Sequence, residues 1–198
     1  MKKIIRVVVV TVLTVAMFAR NNISYAAYSG SAAVKYAERW WDSYNTGEYY
    51  KVDGADCTNF VSQCLVAGGK KPSSSLPSYT NTNYWRPHSA TWENATYWRK
   101  YWKSRTTTHG RNLNSYTPKT VNSDLYLYMY TGDVIQWGFS SSDIGHSQLV
   151  QGYKSRSDGM LTLYMIQHTS GRQKIDLYDY ITSYAGFSYV CGYHFSSK

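Results

Sequence analysis

The sequence predicts an α+β protein, in which helices come first and a β-sheet follows. In the first part of the chain, apolar residues recur every three or four positions, as on one face of a helix. From Leu125 onward the pattern changes to the period of strands. We therefore expect N-terminal helices packed on an antiparallel β-sheet.

The start of the chain has the features of a secretory signal peptide. A basic start precedes an apolar run from Val7 to Ala19, and Ser24 and Ala26 fit a small-x-small cleavage site. The apolar run is shorter than the ~20 residues that span a bilayer. We therefore expect residues 1–26 to be a signal peptide and residues 27–198 to form one secreted, monomeric domain. This domain is not expected to be stably inserted in a membrane, and the cell wall is a candidate location for it.

Charge and cysteine content narrow the class of protein. Of the 21 Lys and Arg residues, four precede residue 27, so 17 basic residues face 12 acidic ones and the net charge of the expected domain is +5. That surplus suits an anionic partner such as a bacterial cell wall, although it also serves solubility alone. We expect no nucleic-acid partner. Three cysteines are too few, and odd in number, for a disulfide framework, so at least one free thiol is expected.

Helices and loops are predicted in the first 124 residues. Ser29–Tyr44 has the spacing of an amphipathic helix, and a second helix begins near Asp56 and ends at Gly68 and Gly69. A short helix is predicted from Ser89 to Trp102. Residues 70–83 and 103–124 are predicted to be loops.

Strands are predicted in four segments, which read "LYLYMYTGDVIQW", "HSQLVQGY", "MLTLYMIQH" and "FSYVCGYHF". In the first segment a Gly-Asp turn precedes the strand Val134–Trp137. The turn sequence "SRSDG" lies between the second and the third segment. In the fourth, residues Tyr189 to Phe195 alternate between two faces.

Cys57 is the candidate nucleophile. Asp56 is placed to cap the second helix, so Cys57 would lie in its first turn. Unpaired N–H groups and the positive end of the helix dipole stabilise a thiolate there, and the same N–H groups would hold the oxyanion of an attacked carbonyl. Cys64 and Cys191 are expected to pack in the core.

A histidine should serve as the base, and the chain offers five: His88, His109, His146, His168 and His194. If "SRSDG" is a five-residue hairpin loop, Lys154 pairs with Met160 and His146 lies opposite His168, with Cβ atoms about 5 Å apart. A two-residue Asp-Gly turn would instead place His146 opposite Gly171. In the first register, one histidine is the base and the other orients it.

Several segments carry a resemblance to a known family. After a "YAERWWDSYN" helix, the stretches "DCTNFVSQCLVAGG", "GDVIQW", "GHSQLV" and "IQHTS" resemble the putative amidase domain family of Gram-positive bacteria. More distantly, they are similar to NlpC-type papain-like peptidases of cell-wall turnover. The resemblance implies a papain-like (NlpC-type) fold and a Cys-His-His site at Cys57, His146 and His168. The long Tyr- and Trp-rich insertion between the Cys helix and the sheet departs from this pattern.

We therefore expect a cysteine amidase or peptidase that hydrolyses an amide bond, with peptidoglycan peptides as the expected substrate. Cys57 attacks the carbonyl, His146 transfers the proton, and His168 holds the imidazole in its working tautomer. Asp56 has a supporting role. This chemistry requires no metal or organic cofactor, and a zinc site at Cys57, His146 and His168 would lack the paired ligand spacing of structural zinc.

Two alternatives remain open at the level of the sequence. The same triad would also serve acyl transfer or deamidation. A non-catalytic cell-wall-binding module would instead use aromatic faces that stack on sugar rings, with Cys57 inert. The tryptophans of the insertion would border a cleft in that case, but we expect most of them to pack in the core; they are Trp85, Trp92, Trp98 and Trp102.

Overall fold

Six strands form one antiparallel sheet, and helices pack on both of its faces. The structure is a computed structural model, and it describes residues 27–183 and 186–196. The predicted signal peptide, residues 1–26, lies outside the described residues. Within the described ranges, none of the helices combines the length and the apolar character that crossing a bilayer requires.

The sheet has the strand order β1-β6-β2-β3-β4-β5, and every neighbouring pair is antiparallel. The predicted α+β class is confirmed at this level. The helices are α1 (Gly30–Trp40), α2 (Cys57–Ala67), α3 (Ala90–Glu93), α4 (Ala95–Trp102), α5 (Pro118–Tyr128) and α6 (Leu177–Ser183). The strands are β1 (Thr107–Asn112), β2 (Val134–Ser140), β3 (Asp143–Ser155), β4 (Leu161–Gln167), β5 (Arg172–Asp176) and β6 (Tyr189–His194).

Alternate residues of the central strands enter two separate cores. On β2, Val134 packs with α1 and α2, whereas Ile135 packs with α5 and α6. Cys191 and Val190 of β6 divide in the same way. Because both faces of the sheet are covered, successive residues of these strands are buried on opposite sides.

The first two helices agree with the sequence prediction. The hydroxyl of Ser29 accepts a hydrogen bond from the Ala32 N–H at 3.2 Å and so caps α1. The helix ends at Trp40, four residues before the predicted end. Helix α2 begins and ends within one residue of the predicted positions, and Gly69 follows it with a φ of 101°.

The loop prediction for residues 103–124 is wrong, because this segment contains β1 and most of α5. Thr117 caps α5, and Pro118 occupies its first turn. Val121 and Leu125, four residues apart, are buried on one face. The end of this helix reads Leu-Tyr-Leu-Tyr, which imitates the alternation of a strand, so the predicted strand start at Leu125 is also wrong.

Both hairpin registers considered for the sequence, the five-residue loop at 155–159 and the two-residue Asp-Gly turn, are wrong as well. Lys154 pairs with Thr162, because the five-residue loop spans 156–160 and not 155–159. A β-bulge at Gln151 then shifts the pairing by one residue, so Leu149 lies opposite Ile166. His146 and His168 are therefore not opposed.

The Tyr- and Trp-rich insertion belongs to the core on the α1 and α2 side of the sheet. It forms two short helices, α3 and α4, instead of the single predicted one, because Asn94 ends the first and caps the second. Its tryptophan side chains are at most 6% exposed and pack together, as expected for core residues; they are Trp85, Trp92, Trp98 and Trp102.

Candidate active site

Cys57 is the first residue of α2, as the sequence predicts, and its side chain is buried to 5% exposure. Asp56 occupies the N-cap position but makes no side-chain capping bond. Its Oδ1 accepts instead from the Val52 N–H and from the Asn59 side chain, both at 2.8 Å. The capping role expected for Asp56 is thus replaced by one in which it ties the preceding loop to the helix.

The thiol of Cys57 is surrounded by groups that favour its anionic form. Burial opposes ionisation, but a hydrogen bond with His146 and the charge of that ring lower the pKa of Cys57 below its ordinary value. The Ser147 backbone N–H and the Thr58 hydroxyl also bond the sulfur. Two successive residues of β3 therefore act on the same sulfur atom, one through its side chain and one through its backbone.

His146 is the second member of the site. Its burial disfavours protonation, but its hydrogen bond with Cys57 and the thiolate charge raise its pKa, with a further contribution from Gln167 and against the charge of Arg172. The Nε2 atom lies 2.9 Å from the Oε1 atom of Gln167. Because Nε2 is held by that acceptor, Nδ1 is the ring nitrogen that serves the thiol.

Gln167 is the orienting partner of His146 in this structure. The strand register explains the contact, because continuing it beyond Leu149 and Ile166 sets Gln148 opposite Gln167 and His146 diagonal to it. The Gln148 amide donates to Gln167 Oε1 at 2.5 Å, and the Trp137 indole N–H donates to Gln148 Oε1 at 2.7 Å. This series of hydrogen bonds fixes the orientation of the Gln167 amide, with its oxygen toward His146.

His168, the predicted third residue, takes a different place, one residue beyond Gln167. Its Nδ1 lies 2.6 Å from Asp56 Oδ2, and its Nε2 lies 2.5 Å from the Trp40 carbonyl oxygen. The ring also stacks on Phe60 with centroids 4.0 Å apart. Both ring nitrogens of His168 therefore have an oxygen atom within hydrogen-bond distance.

The turn between β4 and β5 is held in a strained conformation beside the site. Thr169 and Ser170 have φ values of 63° and 57°, a region that is costly for a β-branched residue. The Gln167 side-chain N–H groups donate to the Thr169 carbonyl at 3.1 Å. At Gly171, an added Cβ would lie 2.3 Å from the Trp41 carbonyl oxygen. The contact of His168 with the Trp40 carbonyl and the close approach of Gly171 to Trp41 hold this turn against the end of α1. The turn thereby positions Gln167 next to His146.

The structure thus brings Cys57 and His146 together and adds Gln167, which sequence reasoning missed. The stretch "IQHTS" contains both Gln167 and His168, but only the register distinguishes them. A thiolate and an imidazolium in contact at a helix start are equipped to attack a carbonyl and protonate its leaving group. Across residues 27–183 and 186–196, no group of three His, Cys, Asp or Glu residues is arranged to hold a metal ion.

The remaining cysteines and histidines lie elsewhere. Cys64 and Cys191 are buried in the core, as expected, and burial raises the pKa of Cys64 well above its ordinary value. All three thiols are free. The other histidines contact Tyr or Asp side chains away from the thiol: His88 stacks on Tyr50, His109 stacks on Tyr128, and His194 bonds Asp133.

Comparisons with known proteins support a single family. A family model described as "Putative amidase domain" matches residues 27–190. The protein named "Uncharacterized protein YjcM" of Bacillus subtilis (strain 168) is 31% identical over 166 residues, which are 82% of this chain and 36% of that protein. "Uncharacterized protein YhbB" of the same organism is 50% identical over 42 residues, which are 21% of this chain and 13% of that protein. The chain therefore spans about a third of the length of YjcM. No solved structure gave a significant match.

Proposed function

The chain belongs to the putative amidase domain family, and from this premise we propose that it is a cysteine-dependent amidase or peptidase. The observation that carries the proposal is the contact of Cys57, at the start of α2, with His146, which is itself held by Gln167. The proposed catalytic residues are Cys57 and His146. The proposed architecture is papain-like, of the NlpC type, because a nucleophile helix packs on an antiparallel sheet that supplies the base.

The proposed reaction proceeds through an acyl-enzyme. The Cys57 thiolate attacks the amide carbonyl, and N–H groups at the start of α2 stabilise the oxyanion. The protonated His146 gives its proton to the leaving amine as the carbon–nitrogen bond breaks. A water then attacks the thioester while His146 takes a proton from it, which releases the acid and restores the thiol pair.

Gln167 and His168 have different roles in this proposal. Gln167 accepts from His146 Nε2 and keeps Nδ1 directed at the thiol, which is the orienting role that the resemblance assigned to position 168. His168 acts on the site indirectly, through its neighbours. By binding Asp56 and the Trp40 carbonyl, it fixes both the residue before Cys57 and the turn after Gln167.

The proposed substrate is an amide bond in peptidoglycan peptides, cut by a secreted protein. The net charge of +5 after residue 26 favours an anionic wall. Arg172 is exposed and close enough to His146 to act on its pKa, so the site presents a cation to substrate carboxylates. A wall-binding module without catalysis is less favoured, because the four tryptophans of the insertion are buried in the core.

The test is digestion of purified peptidoglycan in water enriched in oxygen-18, followed by mass spectrometry of the soluble products. We expect new amine and carboxyl ends, with one heavy oxygen in each new carboxyl group. The control is Cys57→Ser, which replaces the thiol with a hydroxyl of similar size and should release no product.

Two results would count against the proposal. Products in which the acyl group has moved from the original amine to a second amine, without heavy oxygen, would establish acyl transfer in place of hydrolysis. Product release by Cys57→Ser at the rate of the unchanged protein would remove Cys57 from the reaction. A set of unrelated peptide amides, tested in parallel, separates a wrong substrate from an absent activity.

A further inference from the structure

A series of hydrogen-bonded, buried polar side chains leads from the sheet to the Cys57 sulfur. Thr58, Ser147 and Gln136 are each at most 1% exposed. Thr58 Oγ1 lies 3.8 Å from Cys57 Sγ and 2.9 Å from Ser147 Oγ. The Gln136 side-chain amide lies 3.0 Å from the same Ser147 oxygen. None of these three residues is needed for the proton transfer by His146.

The direction of the hydrogen bonds follows from the Gln136 end of the chain. The Gln136 Nε2 atom donates to the Ala95 carbonyl at 3.1 Å, which a side-chain oxygen in that place could not do. The second hydrogen on Nε2 therefore points at Ser147 Oγ. The Gln136 Oε1 atom is buried and without a partner in the described part of the chain, so it does not accept from Ser147.

Ser147 Oγ accordingly accepts from Gln136 and has its own hydrogen free to donate to Thr58 Oγ1, 2.9 Å away. A hydroxyl has one hydrogen to donate. When the Thr58 oxygen receives the hydrogen from Ser147, its own hydrogen is left for the Cys57 sulfur. Each hydroxyl that accepts a bond becomes a better donor, so the chain strengthens the last bond.

We propose that Thr58 is a positioning residue for the nucleophile, and that the chain from Gln136 through Ser147 to Thr58 holds the Cys57 sulfur as a thiolate independently of His146. This inference rests on the proposed function, because it concerns the same thiol. It explains why a side-chain amide with an unpartnered oxygen is retained in the interior, where such a group is costly.

The experiment measures the rate at which iodoacetamide alkylates Cys57 as a function of pH, which requires no substrate. Thr58→Val keeps the shape of the side chain and removes its hydrogen. We expect the midpoint of the profile to move to higher pH and the rate at mildly acidic pH to fall about tenfold, as for the loss of one hydrogen bond to a charged group. Thr58→Ser keeps the hydroxyl and should retain the original profile.

Independence from His146 is tested in a double-mutant cycle. Thr58→Val should slow alkylation by a similar factor in the His146→Ala protein and in the unchanged one. A thermal melt of each variant establishes that it is folded under the conditions in which its alkylation rate is measured. Ser147→Ala, which keeps the backbone N–H, should move the midpoint in the same direction as Thr58→Val.

The outcomes separate this inference from the proposed function. A Cys57 profile in the unchanged protein that matches a free peptide thiol would overturn both. If the midpoint of the alkylation profile lies below that of a free peptide thiol and is the same in the unchanged protein, Thr58→Val and Thr58→Ser, the role of Thr58 is overturned. The amidase proposal would then still stand. A Thr58→Val effect that vanishes in the His146→Ala background would overturn the claim of independence.

Discussion

Replacing Gln167 with alanine tests the orientation of His146 directly. The change removes the Oε1 atom that lies 2.9 Å from His146 Nε2, and it also leaves the Gln148 amide without its acceptor at 2.5 Å. A hydrogen bond to a charged group contributes about 1.5–3 kcal/mol. If the imidazolium form makes this bond in the transition state, kcat should fall about 10- to 150-fold, because each 1.4 kcal/mol is a factor of ten.

The pH profile of kcat/KM shows in which direction residue 167 shifts the pKa of His146. Gln167 helps to raise the pKa of His146, so Gln167→Ala should move the alkaline limb of the kcat/KM profile to lower pH. Gln167→Glu keeps an acceptor and adds a negative charge, and it should move the same limb to higher pH. The assay is peptide hydrolysis across the pH range, with a thermal melt of each variant. Equal profiles for both variants and the unchanged protein would refute the assignment of Gln167.

The remaining predictions concern thiol access, the His168 pair and acid stability. Brief iodoacetamide treatment of the folded protein, followed by peptide mapping, should find label on Cys57 alone. Labelling of Cys64 or Cys191 at a similar rate would contradict their burial in the core. His168→Ala should lower the free energy of unfolding by about 1–3 kcal/mol in urea titrations, since it leaves the buried Oδ2 atom of Asp56 without its His168 partner. It should reduce turnover of the folded protein less than His146→Ala does. Burial raises the pKa of Asp176, but hydrogen bonds from Lys154 and other partners outweigh it and lower that pKa below its ordinary value. The ionised Asp176 therefore stabilises the fold at neutral pH, and this stabilisation is lost as the pH falls through the lowered pKa. The Tm difference between Asp176→Asn and the unchanged protein should shrink between pH 7 and pH 2.5.

The position of Cys57, the proposed nucleophile, could be predicted because its signals are local. A glycine-rich break, an acidic residue and an apolar helical period place Cys57 at the start of a helix, and the structure has it there. His146 could be predicted in part, since it lies in a segment with a clear strand period. These features depend on neighbours within a few residues, which a sequence pattern records.

The partner of His146 depends on interactions that no local pattern records. The bulge at Gln151 shifts the register of β3 against β4 by one residue, and the positive φ at Thr169 is imposed by contacts with the end of α1. Together with the hairpin loop, these features set which of residues 167 and 168 faces His146. Helix α5 was missed for a related reason, because packing under the sheet outweighs a sequence that alternates as a strand does.

The bonds of His168 have a consequence for the order of events during synthesis. They join residues 112 and 128 positions apart, so the contact that His168 makes between Asp56 and the end of α1 cannot form until the last third of the sequence has been synthesised. Such distant pairings form late, because a long loop must be closed first. A nascent chain that already displays the cysteine would therefore carry an ordinary thiol, and reactivity would switch on only with the completed sheet.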